Sequence, residues 1–269
     1  MKIAACIILY HPDITDLEKD IRAVSGHVDT LILWRNSPED INLSDIFSGN
    51  IIWMGDGTNQ FISHPLNKCL SFCIDNGFDY LLTMDQDSEF ENFGGFLAKA
   101  LALAKEPRYD KTVIFAPNVN KRYDSSPAVI PVESTITSGS LCNVRAAIET
   151  GGFRESYQIY WVDSEFCHRA HLKGWNIWTL TEFKLKQQFG KKTSKRGATC
   201  YNYSAQAYYF LFRNMLWMHR EYKSNPSLKC ILYTSRLYVT SILRGEDGKR
   251  EKIKAVLKGI SHGLSGKYQ

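Results

Sequence analysis

Ile3 to Tyr10 is an almost unbroken apolar run. Thr30 to Trp34, Ile51 to Trp53, Tyr80 to Met84 and Thr112 to Phe115 repeat the pattern along the first half of the chain. Short runs rich in Ile, Leu and Val, with no polar alternation, suit strands buried on both faces. Between them the period lengthens. Asp13 to Val24 has helical spacing, with Thr15 and Glu18 placed as a capping box. Leu66, Cys69, Leu70, Cys73 and Ile74 make the stripe of a second helix, capped by Ser63 with Pro65 in its first turn. Phe96 to Ala104 reads as a third. Strands alternating with helices predict an α/β fold with a mainly parallel sheet covered on both faces. Ligands of such sheets bind outside the carboxyl ends of the strands, where Tyr10, Asn36, Asp85 and Asp87 fall.

After Pro131 the pattern changes. Ser138-Gly139-Ser140-Leu141 is a small-residue segment where backbone can approach a ligand closely. Gly151-Gly152-Phe153 breaks the chain ahead of the segment Tyr160 to Arg169. Lys191 to Gly197 reads as a mobile basic loop. From Tyr203 three helical stretches follow, broken at Asn225-Pro226 and at Gly245 to Gly248. Tyr208, Tyr209, Phe210, Phe212 and Trp217 read as helix packing and membrane-interface anchors. The expected organisation is an α/β domain over residues 1–200, with a helical, basic extension over 201–269 packed on it.

Composition narrows the class. The 269 residues are 44% hydrophobic, enough for a sizeable core. Met1 to Pro12 has no small-residue cleavage site and reads as a first strand. No run approaches the roughly 20 apolar residues of a membrane span. Cys6, Cys69, Cys73, Cys142, Cys167, Cys200 and Cys230 are scattered with no C-x-x-C, which predicts reduced thiols in a cytoplasmic protein. The net charge of +5 conceals an asymmetry, since residues 184–269 hold 18 Lys and Arg against 4 Asp and Glu, a net of +14. Such a segment calls for an anionic partner, phosphate-bearing lipid or nucleic acid. No nucleic-acid recognition module accompanies it, which leaves the lipid surface as the expectation.

Two acidic clusters carry the candidate chemistry. Asp85-Gln86-Asp87 closes the apolar run Tyr80 to Met84, and pleat alternation would send both carboxylates to one side and Gln86 to the other. Two close carboxylates repel unless a cation lies between them, which points to a divalent metal that also holds a diphosphate. The chain has neither G-x-G-x-x-G nor G-x-x-x-x-G-K-[ST], so any nucleotide diphosphate lacks the usual backbone cradle. The second cluster is Asp163, Glu165 and Arg169. Glu165 and Arg169 are spaced i, i+4 to pair on a helix face, leaving Asp163 as a free general base. His27, His64, His168, His171, His219 and His262 show no ligand spacing.

Taken in order, these motifs resemble the inverting family-2 glycosyltransferases and, within them, the bacterial rhamnosyltransferase-like branch. The resemblance rests on Tyr10-His11-Pro12, on Asn59 and Asn67, and on Met84-Asp85-Gln86-Asp87-Ser88. It continues through Ser138-Gly139-Ser140-Leu141, Gly151-Gly152-Phe153, Val162-Asp163-Ser164-Glu165-Phe166 with Arg169, Arg213-Asn214, and Lys258-Gly259-Ile260 with Gly263-Leu264. It implies a GT-A-like fold and metal-dependent, inverting transfer from a nucleoside-diphosphate sugar, dTDP-rhamnose above all. The implied acceptor is a glycan or polyprenyl-linked molecule of cell-envelope polysaccharide synthesis, met at the inner face of the membrane.

By the same resemblance Asp87 ligates Mg²⁺ or Mn²⁺, Asp85 contacts that metal or the donor ribose, and Asp163 deprotonates the acceptor. Tyr10, Asn36, Asn67, Asp85, Asp87 and Gly139 bind the nucleotide sugar, while Glu165, Arg169 and Gln187 support the site. The chain departs from the family at Trp34-Arg35, where an Asp is usual, and at Tyr160, where an acid is expected. Gln187-Gln188-Phe189-Gly190 replaces a His-bearing segment, and Phe61 and Pro65 replace small residues. The alternatives are a binding protein derived from such an enzyme and a sugar nucleotidyltransferase. The latter needs a Gly-rich basic loop that Tyr10-His11-Pro12-Asp13 does not provide.

Overall fold

The computed structural model describes residues 1–269 except 40, 42–49, 125, 188–191, 196, 224 and 267–269. Two compact units divide it. One comprises Met1–Arg154 and Asp163–Gln187, the other Glu155–Val162 and Gln188–Gln269.

The first unit is built on strands β1 (Ile3–Leu9), β2 (Thr30–Arg35), β3 (Asn50–Met54), β4 (Tyr80–Asp85) and β5 (Ser88–Phe90), followed by β6 (Thr112–Val119), β7 (Val129–Pro131), β8 (Ser140–Asn143) and β9 (Asn176–Gln187). They form one sheet in the order β3-β2-β1-β4-β8-β6-β9-β5, with β7 also on β9. The run β3-β2-β1-β4 is parallel, as the βαβ pattern predicts. β8 enters antiparallel between β4 and β6, while β9 runs parallel to β6. Helices α1 (Ile14–Val24), α2 (Ser63–Asp75), α3 (Phe93–Leu103), α4 (Val144–Thr150) and α5 (Val162–Leu172) complete the pattern, the last beginning at the boundary of the units.

Alternate residues of the central strands explain the two covered faces. Ala5, Ile7, Leu9, Leu31, Leu33, Leu82 and Met84 join Leu17, Ile21 and Val24 of α1 and Phe93, Phe96 and Ala100 of α3 in one core. Cys6 points the other way, its Sγ 3.0 Å from that of Cys69 on α2. Six of the seven cysteines are buried and Cys230 is exposed.

Local starts differ from the sequence expectation. Asp13 rather than Thr15 caps α1, its Oδ1 accepting from Thr15 N at 2.9 Å and Asp16 N at 3.2 Å. Asp13 is extended with φ −75° and ψ 121°, the conformation that turns a short carboxylate toward the first free amides. Ser63 is the first residue of α2 and fully buried, with Ile62 at the cap position and no side-chain cap. Ile74 is 41% exposed and lies outside the stripe.

The second unit holds helices α6 (Ala205–Tyr222), α7 (Leu228–Gly245) and α8 (Lys249–Ser265), matching the three expected stretches. Part of the expected basic loop is instead a hairpin, β10 (Thr193–Lys195) with β11 (Ala198–Cys200); Lys191 and Arg196 lie outside the described residues. Gly259 and Gly263 of α8 sit against α6 so closely that a Cβ would come within 2.5 Å of Tyr209 O and 2.7 Å of Leu216 Cβ. Two small residues one turn apart are what this backbone approach requires. Tyr208, Tyr209, Phe210, Phe212 and Trp217 are buried, at most 8% exposed. They are helix packing; burial removes them as membrane-interface anchors.

Buried Arg213 and Asn214 explain their pairing in the sequence. Arg213 Nη2 donates to Ser156 O at 2.7 Å, and Asn214 Nδ2 donates to the carbonyls of Tyr157, Ile159 and Tyr160 at 2.8, 2.8 and 2.9 Å. The segment so held is strained: Gln158, Tyr160 and Trp161 take φ of 60°, 60° and 63°. Each such residue costs on the order of 1–3 kcal/mol, so the turn depends on these buried donors.

Candidate functional site

The acidic pair lies where β4 gives way to β5. β4 ends at Asp85, the chain turns through Gln86 and Asp87, and β5 pairs antiparallel with β9 so that Ser88 faces Gln187. This register brings the end of β9 to the turn. Gln187 Nε2 then donates to Asp85 Oδ2 and to Asp87 Oδ1, each at 3.2 Å. A primary amide has two N–H bonds, one for each carboxylate. Ser88 Oγ donates to Gln187 Oε1 and lies 2.5 Å from Ser138 Oγ, which accepts from Asp85 N at 3.1 Å.

Gln86 turns away, accepting from Tyr10 N at 2.8 Å and donating to Tyr10 O at 2.9 Å. Its amide ties the end of β1 to the acidic turn and leaves the Tyr10 side chain exposed. The convergence of Asp85 and Asp87 comes from this turn and the Ser88–Gln187 pairing, not from strand pleating.

The site is electrostatically unbalanced. Burial pushes the Asp85 carboxyl up to about 7, and the charges of Asp87 and Asp163 add to the shift. Asp87 is raised as well, by desolvation of its carboxylate, although the residue as a whole is exposed. The Asp85 shift is that of an anion held beside another with only a neutral amide between them. Two oxygen-donor carboxylates fit a hard divalent cation that takes its remaining ligands from phosphate and water. Among the described residues no group of three or more His, Cys, Asp or Glu side chains is placed to hold a metal alone.

Asp163 opens α5, half-buried, with its Oδ1 accepting from Ser164 N at 2.8 Å. It makes no ion pair among the described residues, and burial raises its carboxyl. Glu165 is occupied as its spacing predicts. Fully buried, it receives Arg169 Nε at 2.9 Å and Nη2 at 2.8 Å, with Arg154 Nε at 3.6 Å. Arg169 also donates to Thr150 O at 2.5 Å and Gly152 O at 2.7 Å, fastening α5 to the glycine turn before it.

The side chains of Asn36 and Asn67 are committed to backbone. Asn36 is 3% exposed, accepts from Gln60 N at 2.7 Å and donates to Phe61 O at 2.9 Å, shaping the loop after β3. Asn67 Oδ1 accepts from Phe153 N and its Nδ2 donates to Phe153 O, both at 2.7 Å. A Cβ on Gly152 would fall 2.6 Å from that Oδ1, the reason the turn needs glycine. Gly139 has φ +75° and directs its missing Cβ at Leu185, Pro117 and Phe90. Its N–H donates to Thr83 O at 2.7 Å. At the end of β2 the Arg35 guanidinium lies 4.6 Å over the Trp53 ring. Gln188, Phe189 and Gly190 lie outside the described residues.

Sequence reasoning missed Asp20. It lies on the buried face of α1 with Leu17, Ile21 and Val24, 6% exposed. Burial first, then the charge of Asp87, pushes it up to about 8. Its backbone partner is Ser88, so it sits behind the acidic turn. An acid at an apolar-stripe position was the available signal.

No protein-family model and no curated protein matches the chain. Solved structures do. The structure of S. aureus TarS superposes with a TM-score of 0.53 at 12% identity over 81% of this chain, which spans 39% of that chain. TarS 1–349 with UDP-GlcNAc gives 0.51 at 13% identity, covering 100% of this chain and 93% of that one. GalNAc-T7 with UDP, GalNAc and Mn²⁺ gives 0.62 at 10% identity over 98% of this chain and 56% of that one. Sheet order, helical covering and these superpositions agree with the expected class: the chain has the GT-A fold of these glycosyltransferases.

Proposed function

We propose that the chain is a glycosyltransferase that moves a sugar from a nucleoside-diphosphate donor to an acceptor hydroxyl, with inversion. The observation that carries this reading is the convergence of Asp85 and Asp87 on Gln187 Nε2, with the charge of Asp163 felt at Asp85. That arrangement lies at the carboxyl end of β4, where open α/β sheets bind ligands.

Each residue has a distinct task. Asp163 accepts the proton of the acceptor hydroxyl as its oxygen bonds to the anomeric carbon. The bond from that carbon to the diphosphate oxygen breaks on the opposite face, so one displacement inverts the centre. A carboxyl raised by burial is a stronger base than an ordinary one, which suits the task. Asp85 and Asp87 are the ligands for Mg²⁺ or Mn²⁺, which when bound supplies positive charge to the diphosphate. Gln187 holds the two carboxylates together. Tyr10 lies beside the nucleotide, and Asn36, Asn67 and Gly139 fix the loops that border the donor. Glu165 and Arg169 set the start of α5 and hence the position of Asp163.

The donor is read as dTDP-rhamnose and the acceptor as a glycan or polyprenyl-linked molecule of the cell envelope. A donor panel tests this: UDP-, dTDP- and GDP-sugars with Mn²⁺ and envelope glycan acceptors, followed by release of nucleoside diphosphate. The expected result is acceptor-dependent release from one nucleotide class, dTDP-rhamnose foremost. Pyrophosphate release from a nucleoside triphosphate and a sugar phosphate would instead make the chain a nucleotidyltransferase.

The basic unit supports a cytoplasmic, peripheral position at the inner membrane face. No described helix is long and apolar enough to cross a membrane. On α8, Arg250, Lys254, Leu257 and Leu264 share an exposed face opposite Gly259 and Gly263. On α7, Leu228 and Leu232 are 64% and 71% exposed, whereas Ile231 is buried. Each cation near an anionic leaflet contributes about 1 kcal/mol. The protein is therefore expected to sediment with phosphatidylglycerol-containing vesicles and not with phosphatidylcholine alone, and to be released by salt. Retention in the supernatant with both lipids at low salt would point to a soluble acceptor.

A further inference from the structure

Tyr160, Tyr201, Tyr203 and Tyr238 form a cluster in the second unit, where Tyr203 and Tyr238 also pack against the helix core around Tyr208. Tyr201 and Tyr203 stack with centroids 5.8 Å apart at 22°, and Tyr238 meets Tyr201 edge-on at 5.0 Å. Tyr160 closes on Tyr203 at 5.9 Å. All four are half-buried. Tyr208, adjacent to the cluster, shows what a packing tyrosine does here: it is fully buried and its hydroxyl donates to Glu246 Oε1 at 2.6 Å. The hydroxyls of the other four make no hydrogen bond among the described residues. Burial raises the phenols of Tyr160, Tyr203 and Tyr238 above the ordinary range, so they stay protonated and can both donate and accept.

The backbone carrying these rings is fixed at both ends of the cluster. Tyr201 N donates to Ser241 Oγ at 3.0 Å and to Glu246 Oε1 at 3.1 Å. Tyr160 and Trp161 sit in the left-handed turn that Arg213 and Asn214 hold from beneath. Strain maintained by buried polar donors marks a conformation kept for use rather than for packing. That turn ends at Val162, and the next residue in the chain is Asp163.

We infer that Tyr160, Tyr201, Tyr203 and Tyr238 form a carbohydrate-binding platform within the second unit, for a saccharide of the acceptor glycan. Aromatic faces suit the apolar C–H face of a pyranose, and unpaired phenols suit its hydroxyls. The assignment to an acceptor rests on the glycosyltransferase reading; the affinity for a saccharide does not.

The test uses the full chain and four probes, the methyl glycosides of glucose, galactose, N-acetylglucosamine and rhamnose, by saturation-transfer NMR. Binding of UDP and of dTDP with Mn²⁺ is measured on the same samples. At least one glycoside is expected to receive saturation from the wild type. The paired variant Tyr201→Leu/Tyr238→Leu is expected to weaken that glycoside roughly tenfold, as loss of aromatic contacts implies. Tyr201→Phe/Tyr238→Phe, which keeps the rings and the fold, is expected to weaken it by about half as much on a logarithmic scale. Both variants are expected to bind UDP and dTDP as the wild type does. Saccharide binding with neither nucleotide bound would keep the platform and remove the transferase reading. The platform is overturned by wild-type protein that takes up none of the four glycosides, or by a phenylalanine pair and a leucine pair that both bind unchanged.

Discussion

Asp163→Asn is expected to lower turnover by roughly two to four orders of magnitude, the usual contribution of a general base, while donor binding stays near wild type. The argument is one of elimination within α5. Glu165 is fully buried and ion-paired with Arg169 and Arg154, which makes it a weaker base than Asp163 and closed to an acceptor from solvent. Asp163 receives Ser164 N and makes no ion pair among the described residues. Asparagine keeps the shape and an oxygen for that amide, so α5 should start as before. The pH profile supplies a second readout. The Asp163 carboxyl is raised by burial, so wild-type activity should fall as pH drops through that raised value, and the variant should lack this limb. Steady-state kinetics across pH checks both. Near-normal turnover would move the base elsewhere and undo the mechanism.

Much of the scaffold was legible because burial writes itself into sequence. The runs Ile3–Leu9 and Tyr80–Met84 read as strands buried on both faces, and they are neighbours, β1 and β4, inside the parallel part of the sheet. The pairing of Glu165 with Arg169 was legible for the same local reason, an i, i+4 spacing. What sequence could not supply was long-range register. Gln187 lies about a hundred residues beyond the acidic turn, and only the β5–β9 ladder brings it there. The antiparallel entry of β8 between β4 and β6 was equally hidden, because strand order is set by crossovers that leave no local pattern. Asn36 and Asn67 show a different limit. Their positions were legible, but whether an amide faces a ligand or a neighbouring backbone depends on the loops it meets, and here both amides hold loops.

The second large effect belongs to the acidic turn. Asp87→Ala is expected to reduce Mn²⁺-dependent dTDP affinity by about a hundredfold or more, since losing even an outer-shell partner of a metal ligand costs about 10–100-fold. Fold stability should change little. Asp87 is exposed, its one side-chain hydrogen bond is with Gln187, and its carboxyl is already destabilised by desolvation. The same substitution removes a charge that raises Asp85, whose carboxyl should then ionise more readily. A variant that binds dTDP poorly yet melts like the wild type therefore separates a ligand role from a structural one.

The most direct measurement is a calorimetric titration of dTDP, the nucleotide of the proposed donor, into wild type and Asp87→Ala, each with Mn²⁺ and again with EDTA. The account predicts binding by the wild type with Mn²⁺, loss of that binding in EDTA, and no metal-dependent binding by the variant. Equal affinity in all four titrations would contradict it, because the carboxylates at the end of β4 would then have no part in holding the diphosphate.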